Sequence, residues 1–265
     1  MRSIAPAIAL TAISAAACSM PTKTLVEADA PVNLPPDASA GRFACHNIPT
    51  PTTAPPQVTI SGKVQAAVTG AAVSGASVEL FEAGTSLPPV VVGQDGMFSF
   101  QLATAGAPAD VHLRVTDNDY LTTFYYPAEF VTKDITIFVQ MFTTPIATSV
   151  LGDMGVTFDP TKVQFLIGAV DCNEDPLAGA TVTTLPSVAV HYFIDTPNPT
   201  PDKMATVTDT ATGAAVAANL PPQVVTVGAS YPSPSDASMS LTMHSHPPID
   251  AGGAQGALVQ TEIRP

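Results

Sequence analysis

Tryptophan is absent from this 265-residue chain, and aromatic residues make up only 6% of it. That scarcity weighs against an aromatic platform for sugar rings, with tyrosine the one residue left to serve. Basic residues are nearly as scarce: nine Lys and Arg stand against 22 Asp and Glu, a net charge of −13. Phosphate binding needs clustered Lys and Arg, so nucleic acid is not expected as a partner. Electrostatic attraction to anionic lipid head groups is disfavoured for the same reason. No apolar run reaches the roughly 20 residues that a bilayer-spanning helix needs. Charged residues total only 12%, while Thr, Ala, Val, Pro and Gly are abundant. That balance favours short β-strands between turns over helices.

What is present begins at the N-terminus. Arg2 precedes an apolar run from Ile4 to Ile13, followed by Ser14-Ala15-Ala16-Ala17-Cys18. A positive start, a short apolar stretch and a small-residue exit mark an export signal. The segment resembles a bacterial lipoprotein signal, in which the cysteine becomes the lipidated first residue. The resemblance implies removal of residues 1–17 and acylation of Cys18, palmitate included. With Ser19 next rather than Asp, it also implies sorting to the outer membrane of the cell envelope. Ala15 stands where the usual pattern has Leu, and Ala15-Ala16-Ala17 also satisfies ordinary secretory cleavage. A plain secreted protein is therefore the alternative.

Setting Cys18 aside leaves Cys45 and Cys172. An even pair in an oxidising compartment predicts a disulfide between them; two separate thiols are the alternative, since sequence does not set their distance. Residues 18–56 are rich in Pro, Ala, Thr and Asp without a sustained apolar period. They read as a disordered, partly extended tether, interrupted by Phe43-Ala44-Cys45.

From Gln57 the pattern changes. Val78-Glu79-Leu80, Met97-Phe98-Ser99-Phe100-Gln101-Leu102 and Val111-His112-Leu113-Arg114-Val115 alternate with period two, as half-buried strands do. Asp95-Gly96 is a hairpin turn signal. Tyr120 to Tyr126 and Ile135 to Phe142 add strands. About 105 residues later the grammar returns. Ile60-Ser61-Gly62-Lys63-Val64 is echoed by Leu166-Ile167-Gly168-Ala169-Val170, and Val73 to Val78 by Leu177 to Val182. Asp95-Gly96 is echoed less well by Thr212-Gly213, and Val111 to Val115 by Val224 to Val227. The expected division is a β-sandwich over 57–145, a linker over 146–162 and a second sandwich over 163–265.

The set Gly62-x-Val64, Val73-Ser74-Gly75-Ala76-Ser77-Val78 and Asp95-Gly96-Met97-Phe98-Ser99-Phe100 resembles carboxypeptidase regulatory-like domains. Asn118-Asp119-Tyr120 resembles that family's Gly-Tyr strand, with Asp119 in place of the glycine. The second copy has Gly168 with Val170 and Leu177-Ala178-Gly179-Ala180-Thr181-Val182, but no Phe-x-Phe. The resemblance covers most of 57–142 and 163–264. It implies an all-β fold of two tandem seven-stranded Greek-key sandwiches of the prealbumin (transthyretin) type. In carboxypeptidases this is an accessory unit without catalytic residues of its own.

Chemistry-bearing constellations are few. An open zinc site of the carboxypeptidase kind needs His and Glu three apart, and none of His46, His112, His191, His244 or His246 has an acid three residues on. His244 and His246 with Asp250 are the nearest approach to a metal site, against the plainer expectation of a solvated loop or edge strand beside Pro247-Pro248. His112 is expected to face outward from its strand. The turns at Asp171, Asn173, Glu174, Asp175 and at Asp117, Asn118, Asp119 are oxygen-rich but lack calcium-loop spacing. Tyr120, Phe124, Tyr125 and Tyr126 fit either a core strand or a ligand surface. No nucleophile elbow or phosphate loop is present. The expected role is a non-catalytic lipoprotein without cofactor that binds a protein or surface polymer. An accessory subunit of a separate surface hydrolase is the alternative.

Overall fold

The computed structural model describes residues 41–45, 49, 51–194, 200–209, 212–232, 240–244, 249–250 and 256–265. The first half contributes β1 (Gln57–Ala66), β2 (Ser77–Glu82), the two-residue pieces β3 (Thr85–Ser86) and β4 (Val90–Val91), β5 (Met97–Ala103), β6 (Val111–Thr116), β7 (Thr123–Tyr126) and β8 (Ile135–Met141). A helix, α1 (Thr144–Asp153), follows. Then come β9 (Val163–Ala169), β10 (Thr181–Leu185), β11 (Val190–Ile194), β12 (Thr200–Asp202), β13 (Ala214–Leu220), β14 (Val224–Pro232), β15 (Ser240–His244), β16 (Ile249–Asp250) and β17 (Leu258–Ile263). The protein is all-β, and the alternating stretches named above are among its strands. In β5, Phe98, Phe100 and Leu102 are buried while Met97, Ser99 and Gln101 are exposed.

Among the described residues three sheets stack into two sandwiches. A small sheet, β5-β1-β8, covers one end of a long sheet ordered β12-β11-β13-β9-β17-β7-β6-β2-β3, with β4 also on β2. A third sheet, β10-β14-β15 with β16 on β14, covers the other end. One core gathers Ile60, Leu80, Phe98, Leu113 and Tyr125. The other gathers Phe165, Ile167, Val227, Met243 and Tyr126. Tyr125 and Tyr126 are adjacent on β7 and so point to opposite faces. The two cores therefore lie on opposite faces of the long sheet.

The join is strand β17, which pairs in parallel with β9 on one side and β7 on the other. Its buried Gln260 reaches back to the free edge of β8. The Gln140 N–H donates to Gln260 Oε1 at 3.2 Å, and Gln260 Nε2 donates to the Gln140 carbonyl. The carboxamide thus stands in for a missing strand partner. Tyr125 OH donates to Glu262 Oε1 at 3.2 Å. Burial, and then Glu262, push the Tyr125 pKa well above its usual 10.

Both halves follow one pairing plan. β1 pairs antiparallel with β5 and parallel with β8; β9 does the same with β13 and β17. β6 lies between β2 and β7, as β14 lies between β10 and β15. The register differs from the sequence echo by one residue. Val64 N–H donates to the Gly96 carbonyl (2.8 Å) and its own carbonyl accepts from Val73 (3.1 Å). In the second half Ala169 does both, with Gly213 (2.8 Å) and Leu177 (2.9 Å). Gly62 therefore corresponds to Ile167, not Gly168. A slip of one residue changes the face of a strand. Gly62 is buried beneath Phe98, whereas Gly168 faces the opposite side, toward Glu262. This register also accounts for the missing Phe-x-Phe. Phe98 lies opposite Gly62 and Phe100 opposite Ile60, while Ala215 lies opposite Ile167 and Ala217 opposite Phe165. The bulk has moved from one strand to its neighbour, keeping core volume filled.

Two stretches expected to be irregular carry structure. Part of the 146–162 linker is helix α1, capped by Thr143, whose Oγ1 accepts from the Ile146 N–H at 3.4 Å, with Pro145 in its first turn. Its Leu151, with Met154 just beyond its end, packs on Val216 and Ala218, on the face of the long sheet away from the second core. The tether is also pinned rather than disordered at two places. Gly41–Cys45 docks through Cys45, and Pro55 and Pro56 accept hydrogen bonds from Thr104. Among the described residues no helix is long and apolar enough to cross a membrane.

Candidate functional site

The expected disulfide is formed: Cys45 and Cys172 are bonded, with Cα atoms 5.5 Å apart. Around it the acidic turn after β9 finds its use. Asp171 is fully buried, and its Oδ2 takes the Arg42 Nε–H at 2.6 Å. Its Oδ1 accepts from the Asn173 and Asp175 N–H groups, at 2.8 and 3.1 Å. Phe43 packs on Tyr231, ring centroids 5.0 Å apart. Both Asp171 oxygens are engaged in holding the turn and the incoming chain. In the other acidic turn, Asp117 Oδ1 accepts from the Asp119 N–H at 3.0 Å, an ordinary turn contact.

Among the described residues no group of three or more His, Cys, Asp or Glu is placed to hold a metal. His246 lies outside the described residues, as does Cys18. His244 pairs with Gly228 and Asp250 with Val224. Four residues of strand, about 13 Å, separate those two positions on β14.

His112 departs from expectation. It does face out of the first core, but it is not an ordinary surface residue. It is half-buried between Phe81 (4.7 Å, interplanar angle 2°) and Tyr126 (4.8 Å, 19°). Arg114 lies 5.4 Å from the Phe81 ring and pairs with Glu79. The aromatic patch around Tyr126 thus cements the seam between the sandwiches.

Among the described residues a groove of about 290 Å³ lies in the second sandwich, between β10 and β11. Val182, Thr184, Val188, Val190, Tyr192 and Ala205 line it. Tyr192 is almost wholly buried, and its hydroxyl oxygen accepts from the Val182 N–H at 3.0 Å. Burial raises its pKa above the usual 10. Among the described residues no His, Cys, Lys, Asp or Glu lines the groove, so the chemistry of that lining is contact and hydrogen bonding. Leu185, 70% exposed, and Met204, 85% exposed, are neighbours in sequence of lining residues. The sequence reading missed this groove. The signal was an apolar Leu185 ending an uncharged strand just before Pro186.

No family model matches the chain, and no curated protein matches it. Solved structures of distant likeness include the following. Chlorocatechol 1,2-dioxygenase from Pseudomonas putida is 15% identical over 36% of this chain, with a TM-score of 0.27. The match spans 63% of that enzyme, less than two thirds of its length. A shaft pilin from Lactobacillus rhamnosus GG is 9% identical over 79% of this chain and 98% of its own, with a TM-score of 0.26. A DUF3823 family protein from Parabacteroides merdae is 11% identical over 71% of this chain and 92% of its own, with a TM-score of 0.24. Likeness at this level says nothing of activity.

Proposed function

We propose that this chain is a non-catalytic binding protein of the bacterial cell envelope, tethered by a lipid on Cys18. The groove between β10 and β11 carries this reading: valines and Ala205 share its lining with the hydroxyls of Thr183, Thr184, Ser187 and Thr206, and among the described residues its only titratable lining group is the phenol of Tyr192. The Arg2-to-Cys18 segment supports export and lipidation, and the Cys45–Cys172 bond suits an oxidising compartment. We read 57–145 and 163–265 as tandem carboxypeptidase regulatory-like sandwiches, the two-fold pairing plan supporting that kinship.

Two measurements test the reading. Cys18→Ser should move the protein from the membrane fraction to the soluble one or leave it unprocessed; mature protein with an unmodified Cys18 by mass spectrometry ends the lipid anchor. The purified protein should show no turnover of peptide, ester or glycoside substrates, with or without added zinc or calcium. Activity that survives repurification and vanishes when His244 and His246 are both replaced would overturn the non-catalytic reading.

A further inference from the structure

The two halves differ at one edge. In the first half Gly75 N–H donates to the Val92 carbonyl (3.0 Å) and Val92 N–H to the Ala76 carbonyl (2.8 Å). In the second half Gly179 and Ala180 make the same pair of bonds with Thr208, at 2.7 and 2.9 Å. Ala76 thus corresponds to Ala180, Val78 to Val182 and Leu80 to Thr184. The chain then covers most of the edge of β2. Ser77 and Val78 pair with Val91 and Val90, Leu87 N–H donates to the Leu80 carbonyl at 2.8 Å, and Phe81 pairs with Ser86.

On β10 that cover stops after Thr208. The Val182 N–H turns to the Tyr192 hydroxyl. Among the described residues no backbone group pairs with the outward side of Thr184 or with the Val182 carbonyl. The groove lies along this stretch. Exposed strand edges are normally blunted by charge or a bulge. The β10 sequence Thr181-Val182-Thr183-Thr184-Leu185 has no charge, and no bulge interrupts its pairing with β14.

We propose that the outer edge of β10 binds an extended peptide of a partner protein by strand addition, as residues 87–92 cover β2 within the first half. The proposal rests on the binding reading above and names the partner's chemistry for the same groove. Thr184 would exchange both backbone bonds with one peptide residue. An alternate side chain would enter against Val182, Val188 and Tyr192. The model occupant within this chain is Leu87-Pro88-Pro89-Val90-Val91-Val92, apolar and β-branched at its end. The net charge of −13 disfavours an acidic peptide.

The test uses the mature full-length protein and a fluorescein-labelled peptide of residues 85–93, Thr-Ser-Leu-Pro-Pro-Val-Val-Val-Gly. Saturable binding by anisotropy is expected, with chemical-shift changes centred on Val182 to Tyr192. Val188→Arg, with its fold checked by circular dichroism, should weaken it at least tenfold. A peptide N-methylated at both Val91 and Val92 should lose as much while leaving the protein untouched. No saturable binding, equal binding of the N-methylated peptide, or shift changes elsewhere would each overturn strand addition. Dimerisation abolished by Val188→Arg would give the edge to a second copy and also overturn it. Crosslinking in native envelopes separates the two levels. A partner held equally by wild type and Val188→Arg keeps the binding reading and sinks this proposal; capture of nothing by either sinks both.

Discussion

Gly62→Ala and Gly168→Ala form a pair of perturbations that the repeated sequence makes look equivalent and the structure makes opposite. A Cβ on Gly62 would lie 2.2 Å from the Ile137 carbonyl oxygen and 2.7 Å from Phe98 Cζ. The oxygen belongs to β8, which pairs directly with β1 at that residue, so relief requires the two strands to part. Overpacking of a tight core costs about 1–3 kcal/mol and occasionally more; disturbing the sheet places Gly62→Ala at about 3 kcal/mol or above. A Cβ on Gly168 meets nothing nearer than Glu262 Cγ at 3.8 Å. There the smaller backbone entropy of the unfolded chain should gain about 0.4–1 kcal/mol. The pair should therefore differ by about 4 kcal/mol, read as the separation of urea midpoints followed by circular dichroism. Losses within about 0.5 kcal/mol of each other, the usual scatter for unremarkable sites, would refute the one-residue register shift and the core arrangement derived from it.

Reducing the Cys45–Cys172 bond frees a loop with a sequence separation of 127, a loss of up to about 4.9 kcal/mol in the chain-entropy account. A thermal transition unmoved by reductant, with both thiols then titratable, would contradict this. Asp171→Ala strips three hydrogen bonds from the same turn and should cost about 2–4 kcal/mol. Its cost should shrink once the disulfide is reduced, because both hold one segment; strictly additive losses would show them to be independent. At high pH the two raised tyrosines set the sign. Tyr125 and Tyr192 have folded pKa values above 10, so the unfolded chain releases those protons first. The stability their neutral forms confer is whole below pH 10 and is lost as pH rises through the folded values. Ultraviolet titration should find at least two of the five tyrosines ionising late, together with unfolding; all five titrating near pH 10 in the folded protein would contradict it.

Local chemistry made much of the fold legible. Alternation fixes which face of β5 and β6 is buried, because successive side chains of a strand point opposite ways. Asp95-Gly96 marks its turn because glycine takes a φ of +82° there without cost. Cysteine parity pointed to the disulfide. Other features were hidden for equally physical reasons. Helix α1 is short and weakly amphipathic, and what holds it is the patch of Val216 and Ala218, residues some 70 positions away in sequence.

By itself, then, the sequence determined strands, turns, an acidic chain and the shared grammar of two halves, since each of these is written in neighbouring residues. Tertiary structure alone decided the rest. That β17 joins both sandwiches in one long sheet depends on parallel pairings between segments more than 130 residues apart. That Gly62 corresponds to Ile167 depends on which hydrogen bonds close across the sheet. That the edge of β10 stands open among the described residues depends on where a distant segment, near Thr208, leaves the sheet. No local pattern specifies that departure, because what is missing from an edge can be seen only beside the strand that covers its counterpart.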